Sequence, residues 1–187
     1  MSKRLTLVLG GVRAGKSTYA QRLAAKGERV LFVATAEPGD AEMQARIEAH
    51  RESRPPDWDT LEEPVDLVAA MEPVLHRYDT VLLDCLTLWV SNLLLREQDT
   101  DSSRKGILPQ VQRLLDLYRN GNASWIVVSN EVGLGVVPPT KLGRVFADEL
   151  GRVNQFMAAE ADDVYFMAAG LPLELKSSTR SDDTPAG

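Results

Sequence analysis

The sequence predicts a single α/β domain in which a mostly parallel β-sheet is flanked by helices. Short apolar runs rich in leucine and β-branched residues recur along the chain, and segments with helical periodicity separate them. Most of these runs are apolar at nearly every position, which is typical of parallel strands buried on both faces. A length of 187 residues fits one such domain with one hydrophobic core.

Six strands are predicted from the apolar runs. The five buried strands are expected at residues 4–10, 29–35, 79–87, 124–130 and 163–169. Residues 171–176 are expected to add an edge strand, because the sequence Gly170-Leu171-Pro172 favours a turn into it. We expect the second strand to lie beside the first in the sheet, so that both end at the ligand-binding edge.

Helices are predicted between the strands. They are expected at residues 16–26, 40–54, about 64–76, 87–97, 107–119 and 140–161. Asp40 is the expected cap of the second helix, Pro55-Pro56 should end it, and Pro109 is expected in the first turn of the fifth. The predicted nucleotide-binding domain spans residues 1–176, and the polar residues 177–187 are expected to form a disordered tail.

Composition narrows the classes of partner. The net charge of −6 and the pI near 5.0 disfavour a nucleic-acid interface, which requires a basic surface. No apolar run approaches the roughly 18 residues of a membrane helix, and the first residues do not resemble a secretory leader. The single cysteine, Cys85, excludes an internal disulfide and favours the reducing cytoplasm. Small molecules are therefore the expected ligands.

A phosphate-binding loop is predicted directly after the first strand. The segment "GGVRAGKS", from Gly10 to Ser17, fits the complete pattern G-x-x-x-x-G-K-[ST] between a strand and a helix. Its glycines allow backbone N–H groups to approach phosphate oxygens, Lys16 can reach the terminal phosphates, and the Ser17 hydroxyl can bind Mg²⁺. The alternative, a glycine-rich turn with a purely structural purpose, is rare with this full pattern. The sequence therefore predicts a P-loop NTPase-like fold.

Asp84 is the candidate for a second magnesium-binding group. It ends the run "TVLLD", and a carboxylate at the end of a neighbouring strand is expected to hold the metal directly or through water. The alternative is a solvated aspartate in a turn, since many strands end in one. Nucleotide binding with Mg²⁺ is the function that these two segments predict.

His50 is harder to interpret from the residues alone. Its spacing after Met43 and Ile47 suits a helix histidine that faces the core and hydrogen-bonds a carbonyl. The guanidinium groups nearby suit phosphate binding and would keep the imidazole neutral and nucleophilic, but neighbouring glutamates could equally pair with them on a solvated face. These cations are Arg46, Arg51 and Arg54. A structural role and a nucleophilic role remain open at this point.

Four segments together resemble a known family. In order and spacing they are similar to the bifunctional adenosylcobinamide kinase / adenosylcobinamide-phosphate guanylyltransferases of cobalamin biosynthesis. The segments are "GGVRAGKS", "ATAEPGDAEMQARIEAHRESRP", "VLLDCLTLWVSNLL" and "VSNEVGLGVVPPTKLGRVFADELGRVNQ". The resemblance runs from about residue 4 to 176, and only residues 97–123 lack a matching motif.

The resemblance implies two reactions and a role for His50. The enzyme would first phosphorylate the aminopropanol hydroxyl of adenosylcobinamide with ATP or GTP. It would then take GMP from GTP onto His50, release pyrophosphate, and pass the GMP to adenosylcobinamide phosphate to give adenosylcobinamide-GDP. The resemblance also implies a homo-oligomer, commonly a trimer, with the site near a subunit boundary.

The same resemblance implies the residues that contact the nucleotide. They are the phosphate loop (Gly10, Gly11, Val12, Arg13, Ala14, Gly15, Lys16 and Ser17), Ala34, Thr35 and Ala36, the segment Arg51, Glu52, Ser53 and Arg54, and Glu62 and Asp84. Ala14 stands where relatives often carry Ser, and Asp84 where Glu also occurs. Glu62 could instead belong to a solvated acidic loop, which the composition of "DTLEEP" favours.

Two features have no assigned role. The segment "NEVGLGVVPP", residues 130–139, is either a plain loop or a contact with the corrinoid or another subunit. His76 matches no motif and is expected at the surface.

Two rival functions fit the phosphate loop. In a monofunctional small-molecule kinase His50 would be structural. A non-catalytic nucleotide-dependent binding module is disfavoured because the guanine-reading pattern N-K-x-D is absent.

Overall fold

The computed structural model describes residues 3–39, 41–52, 54–99 and 106–178. These residues contain seven strands in one sheet. The strands are β1 (Leu5–Gly10), β2 (Val30–Ala34), β3 (Asp59–Glu62), β4 (Thr80–Asp84), β5 (Ser124–Val128), β6 (Asp163–Ala168) and β7 (Leu171–Ser177). The helices are α1 (Lys16–Ala24), α2 (Ala41–Glu52), α3 (Leu67–Met71), α4 (Leu86–Asp99), α5 (Leu108–Asn120) and α6 (Lys141–Glu160).

The strand order is β3-β2-β4-β5-β1-β6-β7. All neighbouring strands pair in parallel except β7, which is antiparallel to β6. The predicted fold class, a mostly parallel sheet flanked by helices, is confirmed, and so is an edge strand after Gly170. In the described part of the chain, no helix is long and apolar enough to cross a membrane.

The predicted pairing of the first two strands is wrong. β5 and β4 lie between β1 and β2, because α1 packs across β5 and β4 and delivers the chain beyond them. Consequently Asp84, at the end of β4, is one strand further from the phosphate loop than predicted. The distance between β1 and β4 is therefore about 10 Å, two strand spacings.

Two hydrophobic clusters cover the two faces of the sheet. On one face, called here the α1 face, Val8, Phe32, Leu82 and Val128 pack with Ala20 of α1. On the opposite face, the α6 face, the alternate strand residues pack against α3, α4, α5 and α6. Because side chains alternate along each strand, cluster membership tells which face each residue at the strand ends occupies.

Some predicted elements differ in extent. β3 was not predicted, because its four residues lie at the sheet edge with mostly exposed side chains and carry no apolar pattern. The helix expected at about 64–76 is only the five residues of α3, followed by a 3-10 turn at Leu75–Arg77, since Pro73 interrupts the ladder of hydrogen bonds. The strand expected at 79–87 ends at Asp84, and α4 begins at Leu86.

Other expectations can be compared directly. Pro109 lies in the first turn of α5, as predicted. β7 extends to Ser177, one residue into the predicted tail, and residues 179–187 lie outside the described residues. Asp40, the predicted cap of α2, also lies outside them.

Candidate active site

The phosphate loop joins β1 to α1 through a backbone that requires glycine. Gly10 has φ 149°, and a Cβ there would lie 2.6 Å from the carbonyl oxygen of Met167. Gly15, with φ 93°, approaches the Cα of Gly170 so closely that a Cβ would lie 3.1 Å from it. Neither conformation nor neighbourhood accepts a larger residue, so these two glycines fix the shape of the loop.

Backbone hydrogen bonds hold this loop at three points. The N–H of Glu131, just after β5, donates to the carbonyl of Gly10 over 3.1 Å. Within the loop the N–H of Ala14 donates to Gly11 over 3.3 Å, and the N–H of Gly170 donates to Ala14 over 3.0 Å. The loop is therefore preorganised by β5 and by the turn before β7. Such a loop directs its remaining N–H groups at an anion without reordering.

Lys16 is the buried cation of the loop. Only 8% of its surface is exposed, and its Nζ donates to the carbonyl of Gly11 over 2.7 Å. Burial lowers the pKa of Lys16, and the negative charge of Asp84 acts in the opposite direction. A phosphate group would be a stronger partner for the Lys16 ammonium than the Gly11 carbonyl, because the phosphate is charged. At the loop's tip, Val12 and Arg13 are exposed.

Three residues form a row at the carboxyl ends of neighbouring strands. In the sheet register Glu62 pairs with Ala34, and Ala34 pairs with Asp84. Phe32 and Leu82 face α1, so Ala34 and Asp84, two residues later, face the same way. Glu62, Ala34 and Asp84 thus share the α1 face with the phosphate loop.

Ser17 and Asp84 carry the kinds of oxygen atom that bind a magnesium ion. Ser17 is the second residue of α1, and Asp84 lies on the same face at the end of β4. Within the described ranges, neither side-chain oxygen has a hydrogen bond or an ion pair that would compete with a metal. Hydroxyl and carboxylate oxygens, completed by water and phosphate oxygens, are the ligands that Mg²⁺ prefers.

Thr35 connects the ends of two strands and is buried. Its hydroxyl donates to the carbonyl of Cys85 over 2.7 Å and accepts from the N–H of Cys85 over 2.9 Å. Its own N–H donates to Asp84 over 3.2 Å, and its carbonyl accepts from Asn92 over 2.9 Å. The hydrogen-bonding groups of Thr35 are therefore engaged in holding β2 against β4, and the partly exposed Ala36 follows them to the surface.

The histidine segment, defined as residues 50–54, lies at the end of α2. His50 belongs to the last turn of that helix, and Glu52 is its exposed last residue. The backbone of His50 is described, but its side chain is outside the described residues, as are those of Met43 and Arg46 and the whole of Ser53. The predicted stripe of Met43, Ile47 and His50 is therefore seen only at Ile47, which is partly buried.

Arg51 anchors the histidine segment to β3. Its Nε and Nη2 donate to the two carboxylate oxygens of Glu62 over 2.8 and 2.6 Å. This hydrogen bonding holds the pKa of Glu62 below its ordinary value. Glu62 lies on the α1 face, so the pair brings the end of α2, with His50 one residue before Arg51, towards that face.

Arg54 occupies the same face without a carboxylate partner among the described residues. Its guanidinium carbon lies 4.0 Å from the centre of the Phe32 ring, and its Nε is buried with no hydrogen-bond partner there. Burial lowers the pKa of Arg54, while the charges of Glu62 and Asp84 raise it. A partly buried guanidinium with unused donors is suited to a phosphate group.

Two features had no role assigned from the sequence, namely His76 and the segment 130–139. His76 is exposed, as predicted. It precedes β4, so it lies at the amino ends of the strands, opposite the carboxyl ends where the site lies. The segment 130–139 is exposed at several apolar residues, with Val136 at 96% and Leu134 at 80%.

Sequence reasoning missed a polar network behind the phosphate loop. Its buried members are Thr87, Ser129 and Asn154. A polar pair, Ser129-Asn130, ending an apolar strand was the available signal.

Together these features define a P-loop nucleotide-binding protein with an α/β fold. An ATPase of the type III secretion system of pathogenic bacteria shares the fold, with a TM-score of 0.52 at 10% sequence identity over 91% of this chain and 56% of that one. The family model described as cobinamide kinase / cobinamide phosphate guanyltransferase matches residues 6–175. The chain belongs to this family, and the predicted family is confirmed.

Curated relatives agree with this assignment. The bifunctional adenosylcobalamin biosynthesis protein CobP of Pseudomonas aeruginosa is 45% identical, over 91% of this chain and 96% of the relative. The bifunctional adenosylcobalamin biosynthesis protein CobU of Escherichia coli is 37% identical, over 92% of this chain and 99% of the relative. The two matches cover nearly the full length of each relative.

Proposed function

We propose that this enzyme phosphorylates adenosylcobinamide and then transfers GMP from GTP to adenosylcobinamide phosphate through a covalent GMP on His50. The observation that carries the proposal is the convergence of two segments on the α1 face. The phosphate loop follows β1, and the Arg51–Glu62 contact draws the helix that bears His50 towards the same edge. Membership of the family supports a transferase over a non-catalytic binding module.

The guanylyl transfer consists of two displacements at the α-phosphorus. An imidazole nitrogen of His50 forms a bond to that phosphorus as the bond to the β-phosphate oxygen breaks, and pyrophosphate leaves with the electron pair. A phosphate oxygen of adenosylcobinamide phosphate then attacks, the N–P bond breaks, and its electron pair returns to the imidazole. Arg54 and Lys16 would offset the negative charge on the transferred group and on the leaving pyrophosphate.

The kinase reaction uses the same loop at a different phosphorus. The hydroxyl oxygen of adenosylcobinamide bonds to the γ-phosphorus of ATP or GTP as the bond to the bridging oxygen breaks. The nucleoside diphosphate leaves with the electron pair, and the hydroxyl proton passes to water. Here the protein's contribution is positioning and charge stabilisation by the loop N–H groups and Lys16. Mg²⁺, held by Ser17 and Asp84, would neutralise phosphate charge in both reactions.

Labelling with GTP tests the covalent step. Wild-type enzyme incubated with Mg²⁺ and GTP labelled on the α-phosphate is expected to retain label after denaturing electrophoresis. The label should be lost in acid and stable in alkali, as a phosphorus–nitrogen bond to histidine requires. His50→Ala should abolish it, and His76→Ala, the matched change at the opposite sheet edge, should not.

The alternatives predict different results. A monofunctional kinase would phosphorylate adenosylcobinamide but carry no α-phosphate label. Label that persists in His50→Ala would assign the covalent step to another residue and overturn the proposal.

We also propose that the enzyme is a homotrimer. We place it in the cytoplasm, where nucleoside triphosphates are available as substrates. The edge strand β7 supports an oligomer because three of its leucines are largely exposed: Leu171, Leu173 and Leu175. Light scattering coupled to size exclusion should give three times the chain mass. A monomeric mass at micromolar concentration would contradict this part of the proposal.

A further inference from the structure

Asn130 lies just past the carboxyl end of β5, between the phosphate loop, which follows β1, and Asp84, which ends β4. β5 separates β1 from β4, and Asn130 follows β5 by two residues. The parallel hydrogen-bond ladder to β1 continues past the end of β5, from Ser129 N–H to Val8 over 3.0 Å and from Glu131 N–H to Gly10 over 3.1 Å. Asn130 is therefore held in extended pairing at the start of the phosphate loop.

The alternation of side chains gives the direction of Asn130. Ile126 and Val128 belong to the cluster on the α1 face. Ser129 meets Asn154 of α6, on the opposite face, over 2.7 Å. Since the ladder continues through residue 131, Asn130 faces the α1 side, where the loop and Asp84 lie.

The backbone of Asn130 is fixed from both sides. Its N–H donates to the hydroxyl of Thr87 over 2.7 Å, and its carbonyl accepts from the side-chain amide of Asn154 over 3.0 Å. Asn154 is 5% exposed and Ser129 is fully buried, so this network is shielded from water. By contrast, the side-chain amide of Asn130 is only partly buried and has no hydrogen-bond partner within the described ranges.

A rigid backbone carrying an unused amide beside a phosphate loop is suited to bind a phosphate oxygen. We propose that the side-chain amide of Asn130 donates a hydrogen bond to the terminal phosphate of the nucleoside triphosphate, and that Asn154 is the positioning residue that holds it there. This inference rests on nucleotide binding at the phosphate loop but not on the covalent chemistry of His50.

Comparison of GTP with GDP tests the contact, because GDP lacks the terminal phosphate. Binding is measured by calorimetry with Mg²⁺ in a His50→Ala background, so that GTP is not consumed. Asn130→Ala should weaken GTP binding about 10- to 100-fold and change GDP binding less than about twofold. Asn130→Asp should weaken GTP binding further, because its carboxylate repels the phosphate. Asn154→Ala should lower the ratio of GTP to GDP affinity by a smaller factor.

The matched control is Asn122→Ala, an exposed asparagine at the other end of β5. It should leave both affinities unchanged. Equal weakening of GTP and GDP by Asn130→Ala, or no weakening of either, would overturn the inference. Failure of the unsubstituted background to bind either nucleotide would instead overturn the nucleotide site itself, and this inference with it.

Discussion

The phosphate loop and the histidine segment contribute to one face of the sheet but are held there by different means. The loop is fixed by its own glycines and by backbone hydrogen bonds to residues after β5 and β6. The histidine segment is fixed by side chains, namely the pairing of Arg51 with Glu62 and the packing of Arg54 on Phe32. Hydrogen bonds between backbone groups are kept when a side chain is substituted, whereas each side-chain contact is lost with a single substitution.

This difference matches the chemistry of the two segments. Both reactions need a fixed site for the phosphate chain, and we propose that the rigid loop supplies it. In the proposed mechanism, only guanylyl transfer needs a protein nucleophile that approaches the α-phosphorus and then presents the GMP to a second substrate. A segment anchored by a solvent-exposed ion pair can adjust its position at low energetic cost.

Removing the cation of the loop should have the largest effect. Lys16→Met is expected to lower kcat/KM for both reactions at least about 100- to 1000-fold, because a charged donor to the phosphates is lost. Without nucleotide, the variant should be at least as stable as wild type, since burial of the Lys16 ammonium is unfavourable. Steady-state assays of the two reactions measure the first effect, and thermal unfolding without nucleotide measures the second.

The control for this variant is Lys26→Met, just beyond α1, where the lysine is exposed. It should retain activity and the stabilisation by GTP, which is about 2.7 kcal/mol at 100 times Kd. Full activity in Lys16→Met would show that the loop does not bind the phosphates in this way.

The next effect concerns the backbone of the loop. Gly10→Ala places a Cβ 2.6 Å from the Met167 carbonyl at φ 149° and should cost about 2–4 kcal/mol of unfolding free energy. Gly11→Ala has nothing within 4 Å of the new Cβ and should cost less than about 1 kcal/mol. Urea denaturation of the two variants checks the difference, and equal stabilities would contradict a loop fixed by its glycines.

The fold was easier to predict than the relation between these two segments. Continuous apolar runs identified the five buried strands, and the glycine pattern located the phosphate loop, because both signals are local in sequence. Strand order is not local. It depends on how α1 crosses β5 and β4, which no periodicity encodes, and this is why β2 was wrongly placed beside β1.

The site was predicted unevenly for the same reason. Lys16 and Asp84 belong to recognisable patterns at strand ends. The residues alone left a structural and a nucleophilic role of His50 open, and the resemblance to a family decided for the nucleophile. The exposed edge strand β3 has no apolar alternation, so Glu62 could be read equally well as part of a solvated loop.

Substitution of the two arginines of the histidine segment should slow self-guanylylation to different extents. Arg54→Ala is expected to slow self-guanylylation by GTP about 10- to 100-fold, because its guanidinium is free to bind phosphate. Arg51→Ala should slow it only about fivefold, since Arg51 is already committed to Glu62. Single-turnover rates with labelled GTP measure both. A larger effect for Arg51 would reverse the roles given to the two residues.

The smallest expected effect is the contribution of the Arg51–Glu62 ion pair to the free energy of unfolding. Both side chains are about half exposed and screened by solvent, so a double-mutant cycle with Arg51→Ala and Glu62→Gln should give only a small coupling at pH 7, and added salt should weaken it further. The pKa of Glu62 is lowered in the folded state, so this contribution should be present above its ordinary pKa and disappear as the pH falls through the lowered value. A coupling that stays the same after Glu62 is protonated would contradict the assignment.

The most direct measurement compares the two reactions in His50→Ala. The kinase reaction is assayed with ATP and adenosylcobinamide, and the transfer reaction with GTP and adenosylcobinamide phosphate. If the loop serves both reactions and the histidine only one, His50→Ala should lose GMP transfer entirely while its kinase rate stays within about threefold of wild type. Retention of GMP transfer, or loss of both reactions together, would contradict this division of the site.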